Sequence, residues 1–262
     1  MKSHTDIVFK PTPQVDLLLD VHLPEGEGPF PVISWICGGG WKGMNKRGAL
    51  GVVGCLVEAG FALVAANYRV TGQAPWPAQI EDCKAAIRWA RAHGGQYDLD
   101  TDRFGVIGDS AGGHLAALVA AAGEARQFDV GEHLDQSSGV IAAVPIYPPT
   151  DFPRWNGPLL PEITALLGGS IQEVPAVAVE ASPITYVSPD TPPHLLIHGA
   201  EDDIVPTEQS YLYRNALEAA GVEVTLHVLP GVGHEGEKVY PNPDVQGWVT
   251  DFFNKHLTGE TP

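Results

Sequence analysis

Ser110 lies in "RFGVIGDSAGGHLAALVAAAG", where an apolar, β-branched run gives way to Gly108-Asp109-Ser110-Ala111-Gly112 and then to a helical pattern. A strand that becomes a helix within so few residues forces the central serine into a strained backbone conformation. Large side chains two positions before and two after would collide, and glycine stands at both. The Ser110 hydroxyl is then exposed at the C-terminal edge of a sheet. It also meets the positive end of a helix, where developing negative charge is favoured. That placement suits a nucleophile; the plainer alternative is a tight turn with Ser110 as a helix cap.

A serine hydroxyl is a weak nucleophile and needs a general base, which in turn needs an orienting acid. Of the ten histidines, His227 falls inside a strand pattern and His198 shapes a turn before Gly199. His256 belongs to the last helix, His4 to the N-terminus, and His114 follows the serine turn along its helix. His234 differs: "LPGVGHEG" is a glycine-rich loop after the last strand pattern and before the last helix. Such a loop can carry an imidazole back over the sheet edge. The acid should follow a strand between serine and histidine. "HLLIHGAEDDIVP" offers Glu201, Asp202 and Asp203, which spacing does not separate. Asp151, in "YPPTD", is an outside candidate after an earlier strand.

These loops need a frame. "VDLLLDVHL" alternates in part and reads as an early strand. "FPVISWI", "FALVAANY", "RFGVIG", "GVIAAVPIY", "HLLIHG" and "VEVTLHVL" are near-continuous apolar runs, as strands covered on both faces require. Between them lie helical patterns. "PAQIEDCKAAIRWARAH" repeats apolar residues at Ile80, Cys83, Ile87 and Ala90, and "AGGHLAALVAAAG" is small and apolar nearly all round. "EQSYLYRNALEAAG" stops at Gly221, and "VQGWVTDFFNKHL" closes the chain. The alternation predicts one α/β domain over residues 1–262, with a mostly parallel central sheet and helices on both faces. The proline-rich stretch 148–193 breaks the rhythm, with a short helical piece near "PEITALLGG". It reads as a small cap or substrate-lining insertion.

The 262 residues carry a net charge of −17, from 15 Lys+Arg against 32 Asp+Glu. An acidic surface repels nucleic acid and anionic lipid, so neither is an expected partner. Three widely spaced cysteines, Cys37, Cys55 and Cys83, suggest no disulfide framework or metal-type pair. "MKSHTDIVFKPTPQ" shows no apolar signal core, and no apolar run approaches ~20 residues. The expectation is a cytoplasmic protein without a membrane span.

The chain resembles α/β-hydrolases of the esterase type, in particular the hormone-sensitive-lipase-like and bacterial feruloyl/acetyl-xylan-esterase-like branches. "CGGGW" resembles an H-G-G-G-W loop and "NYRV" a D-Y-R-L segment. "PWPAQIEDCKAAIRWARAH" and "GDSAGGHLAAL" are similar to the segments that follow. "HGAEDDIVP" fits H-G-x-x-D-x-x-V-P, and "GVGH" fits the histidine loop. The resemblance covers nearly the whole chain and implies an α/β-hydrolase fold. It further implies Ser110 as nucleophile, Asp202 as acid and His234 as base. The oxyanion hole would be the backbone N–H groups of Gly39, Gly40 and Ala111. Trp41 would line the acyl or alcohol pocket, with core packing as the plainer reading.

The implied activity is hydrolysis of small to medium carboxylic esters through an acyl-enzyme, with no metal or organic cofactor. The base must be neutral, so activity should fall at acid pH. The short, polar cap argues against a lipase with a large apolar lid. Other readings are an arylformamidase or amidase, a feruloyl or acetyl-xylan esterase, and a non-catalytic ligand-binding hydrolase fold. One departure stands out: Cys37 occupies the place of the histidine that ties down the glycine loop in relatives. A thiol is a much weaker donor and acceptor. Cys37 is expected to be a small hydrophobe at a strand end, leaving the loop to packing or to other donors.

Overall fold

The computed structural model describes residues 1–43, 45–123 and 125–260, so the last two residues of the expected 1–262 domain lie outside it. Among the described residues, eight strands form one sheet. They are β1 (Lys2–Pro11), β2 (Asp16–Leu23), β3 (Phe30–Ile36), β4 (Ala62–Ala66), β5 (Leu99–Asp109), β6 (Ala142–Ile146), β7 (His194–Gly199) and β8 (Val224–Leu229). Their order is β1-β2-β4-β3-β5-β6-β7-β8. β1 and β2 run antiparallel to their neighbours, and the remaining pairs are parallel. All seven strand patterns read from the sequence lie on this sheet.

The helices are α1 (Ala49–Glu58), α2 (Ala78–Ala92), α3 (Ala111–Ala121), α4 (Pro161–Leu167), α5 (Pro175–Glu180), α6 (Glu208–Ala219), α7 (Gly236–Val239) and α8 (Pro243–Phe253). Side chains alternate across a strand, and β3 shows the consequence. Val32 and Ile36 join the cluster built with Ile80 and Ile87 of α2 and Leu115 and Val119 of α3. Ile33 and Trp35 join the opposite cluster, with Val53 and Leu56 of α1 and Val249 and Phe253 of α8. Helices therefore cover both faces. Ile163, Leu166 and Ala178 of the 148–193 segment enter the α2–α3 cluster.

Two elements carry little sequence signal. β1 is an edge strand whose only buried side chain is Phe9, so it shows no apolar alternation. Polar contacts fasten it: Lys10 pairs with Asp82 at 2.6 Å, and Lys46 with Asp6 at 2.8 Å. α1 contains Gly51 and Gly54 and is kinked at Val53 (φ −125°), which blurs its period.

Candidate active site

β5 runs directly into α3, and Ser110 stands at the junction with φ +53° and ψ −119°. The crowding there is measurable. A Cβ on Gly108 would lie 2.4 Å from the Gly112 carbonyl oxygen, and one on Gly112 would lie 2.0 Å from that of Ile36. Any side chain at either position would push the turn apart. The turn thus presents Ser110 on the rim of a cavity of about 400 Å³, also lined by Gly39, Gly40, Trp41, Tyr147 and His234.

The loop after β8 brings His234 to the same rim. Its Nε2 lies 2.8 Å from Ser110 Oγ, and its Nδ1 lies 2.7 Å from Asp202 Oδ2. The loop after β7 supplies Asp202, whose side chain has no exposed surface. Oδ1 accepts the backbone N–H groups of Ile204 (3.0 Å) and Val205 (2.8 Å). Burial works against the charged form, but hydrogen bonds from His198 and His234 outweigh it. The Asp202 carboxyl is thereby held well below the usual carboxylate range. Glu201 and Asp203 are exposed. Asp151 is buried but pairs with Arg154 at 3.1 Å. Of the acids read from the sequence, the one that meets His234 is Asp202.

His198 does more than shape a turn. Its Nε2 lies 2.9 Å from the Val205 carbonyl and 3.3 Å from Asp202 Oδ2, and its Nδ1 lies 2.7 Å from Ser210 Oγ. A proton on Nε2 satisfies the carbonyl and the carboxylate, and the Ser210 hydroxyl then donates to Nδ1. His198 thereby ties the acid loop to the start of α6.

The glycine loop faces Ser110 from the end of β3. Gly39 (φ +119°) and Gly40 (φ +61°) occupy the left-handed region, and a Cβ on Gly39 would meet the Gly43 carbonyl oxygen at 2.0 Å. Backbone N–H groups of Lys42 and Gly43 close a turn onto the Gly39 carbonyl at 3.2 and 3.1 Å. Among the described residues, no acceptor meets the N–H groups of Gly39 and Gly40. Ala111 is the first residue of α3, where a backbone N–H has no partner inside the helix. Three donors are therefore available near Ser110.

The loop is anchored through its backbone. Tyr68 Oη donates to the Cys37 carbonyl at 3.0 Å, and the Gly38 N–H donates to Asp109 Oδ1 at 3.3 Å. Burial raises the Asp109 carboxyl above the ordinary range. Burial likewise raises the Cys37 thiol. Trp41 follows in the left-handed region (φ +54°) and is buried, with one edge on the cavity. Its indole N–H donates to His114 Nδ1 at 3.1 Å, and His114 Nε2 donates to the Ala181 carbonyl at 2.7 Å. Burial lowers His114 to about 4, so the ring is neutral and can accept on one nitrogen while donating from the other. This link from glycine loop to cap has no signature in the sequence beyond the histidine itself, which is one helical turn past Ser110.

No described helix is long and apolar enough to cross a membrane, and no described cluster of His, Cys, Asp and Glu could hold a metal ion. Residues 19–217 match the family model BD-FAE. The probable carboxylic ester hydrolase LipM of Mycobacterium tuberculosis is 38% identical over 214 residues, covering 79% of this chain and 49% of that one. Esterase LipC of the same organism is 33% identical, covering 79% and 53%. The chain thus spans about half the length of the curated relatives it matches. A solved truncated carbohydrate esterase from gut microbiota superposes with a TM-score of 0.91 and 31% identity, covering 98% of this chain and 97% of that one. With its sheet order and the loops that carry Ser110, Asp202 and His234, the chain belongs to the BD-FAE family of α/β-hydrolase-fold proteins.

Proposed function

We propose that the protein is a serine carboxylesterase acting on small to medium esters, with Ser110 as nucleophile, His234 as base and Asp202 as acid. The observation that carries this reading is the hydrogen-bonded line Ser110–His234–Asp202, at 2.8 and 2.7 Å, on the cavity that Gly39 and Gly40 also line. Asp202 accepts the Nδ1 proton and fixes the tautomer that leaves Nε2 free to act as base. Ser110 Oγ loses its proton to Nε2 as it bonds to the ester carbonyl carbon. The carbonyl π electrons move to oxygen, and the N–H groups of Gly39, Gly40 and Ala111 hold the oxyanion. Collapse breaks the bond to the alcohol oxygen, which takes the proton from His234. Water repeats the sequence on the acyl-serine and releases the carboxylic acid.

Ser110→Ala and His234→Ala should each abolish hydrolysis of p-nitrophenyl butyrate while the circular dichroism spectrum is unchanged. Asp202→Asn should lower kcat by about ten-thousandfold, because an amide favours the wrong tautomer. Asp203→Asn should cost far less. Normal turnover in either alanine variant, or the reverse order of the two asparagine variants, refutes the assignment. A second reading, de-esterification of acylated carbohydrate, is favoured by the superposition on a carbohydrate esterase. Release of acetate from acetylated xylan, faster than from p-nitrophenyl acetate, would select it.

A further inference from the structure

A second cavity, of about 370 Å³, lies in the cap beside the first. The wall between them is the start of α4. Glu162 faces the Ser110 cavity, Ile163 and Thr164 face the cap cavity, and Leu160 lines both. The wall is fastened to the glycine loop: Glu162 pairs with Lys42, and its side chain lies so close to Gly40 that a Cβ there would meet Glu162 Cγ at 2.8 Å. Each cavity alone has the size of a ligand pocket, at least about 300 Å³. The two adjoin at Leu160, the residue common to both linings.

The lining of the second cavity selects what can lie in it. Trp155, Leu159, Leu160, Pro161, Ile163 and Ile171 are apolar. The Trp155 indole N–H is already used, donating to the Pro158 carbonyl at 2.8 Å, which leaves its ring as a fixed apolar wall. The Ser170 hydroxyl is used as well, donating to Glu173 at 2.7 Å. Six of the nine lining residues are thus apolar, and Thr164 and Gln172 are the further polar side chains beside Ser170. The outer edges point the same way. Leu159 is 90% exposed and lines the cap cavity, and Ile204 is 39% exposed and lines the Ser110 cavity. Each adds exposed apolar surface to the cavity that it lines.

From this we infer that the cap cavity is a second subsite, which takes an alkyl chain of the ester too long for the Ser110 cavity. The inference rests on the esterase reading. The chain belongs to either the acyl or the alcohol arm, and both present the same chemistry to the groove. Two ratios of kcat/KM separate the arms: p-nitrophenyl octanoate over p-nitrophenyl acetate, and octyl acetate over ethyl acetate. Leu159→Asn makes an almost fully exposed edge polar and leaves the core untouched. Ile171→Trp fills the groove. Each should lower one of the two ratios by about tenfold, the scale of losing a few methylene contacts in an apolar pocket. The loss should fall mainly in KM, which a general loosening of the fold would not produce. If neither ratio moves in either variant while turnover still depends on Ser110, the subsite is refuted and the esterase reading stands. If no ester is turned over in a Ser110-dependent way, both are refuted.

Discussion

The turn at Ser110 and the segment 148–193, expected to be a cap, flank one cavity and are held in different ways. Backbone holds the turn. Gly108, Gly112 and the Ile36 carbonyl approach so closely that no Cβ fits, and the Ser110 N–H donates to the Ile146 carbonyl at 2.9 Å across neighbouring strands. The cap is held mainly through side chains. Trp76 Nε1 reaches Glu180 at 3.1 Å, His114 Nε2 reaches the Ala181 carbonyl at 2.7 Å and Lys42 pairs with Glu162, beside a backbone bond from the Trp76 N–H to the Leu166 carbonyl at 3.1 Å. A surface fixed by backbone tolerates almost no substitution and suits a reaction that needs one geometry. A surface fixed by side chains can change with its residues, as a part that selected substrate would need to.

The largest expected effect tests that contrast directly. Gly112→Ala puts a methyl group 2.0 Å from the Ile36 oxygen. It should cost about 4 kcal/mol or more of stability, because strand and helix must separate to admit it. Gly168→Ala, at the end of α4, places an alanine at φ +78° with nothing within 4 Å of its Cβ. It should cost about 1 kcal/mol, the penalty of the left-handed conformation alone. Urea unfolding of the two variants gives the difference. Similar losses would mean that the turn is no more tightly determined than the cap.

The next effect arises where the two regions meet. His114, between Trp41 and the Ala181 carbonyl, is held at about 4, as is buried His194. In the unfolded chain both titrate near 6.5. Between those values the unfolded chain binds more protons than the folded one, so stability falls as pH is lowered through the window. Each ring should account for about 3 kcal/mol between pH 7 and pH 4. His114→Gln removes one of them. The stability gap between parent and variant should therefore shrink by about that amount on acidification. A gap that is constant with pH would show that His114 does not titrate across folding.

The same contrast explains what could be read from the sequence. Steric exclusion leaves a local mark: glycines at 108 and 112 and at 38–40, each beside a strand pattern. Strands covered on both faces leave apolar runs, so β2 to β8 were legible along with α2, α3, α6 and α8. β1 was not, because an edge strand held by Lys10, Lys46 and their carboxylates looks like any polar segment. Spacing alone could not choose among Glu201, Asp202 and Asp203. The choice depends on which carboxylate the Ile204 and Val205 N–H groups turn inward. The tasks of His114 and His198 were hidden for a similar reason, since their partners lie 67 residues away in one case and in the next helix in the other.

The smallest effect concerns Cys37, which stands where the resemblance to an H-G-G-G-W loop implies a histidine. The structure anchors the Cys37 carbonyl through Tyr68, while the thiol is half-buried, raised by burial and met by a weaker backbone hydrogen bond from Asn45. Alanine keeps that carbonyl in place, so Cys37→Ala should retain kcat/KM within about twofold. Tyr68→Phe removes the donor that the part-buried Cys37 carbonyl accepts. It should cost about 1 kcal/mol of stability and lower kcat/KM about fivefold, as the Gly39 and Gly40 donors lose their aim. Esterase assays on the two variants side by side decide the matter. If Cys37→Ala were the more damaging, the sulfur itself would be holding the loop; if Tyr68→Phe is, the loop is held through its backbone carbonyl.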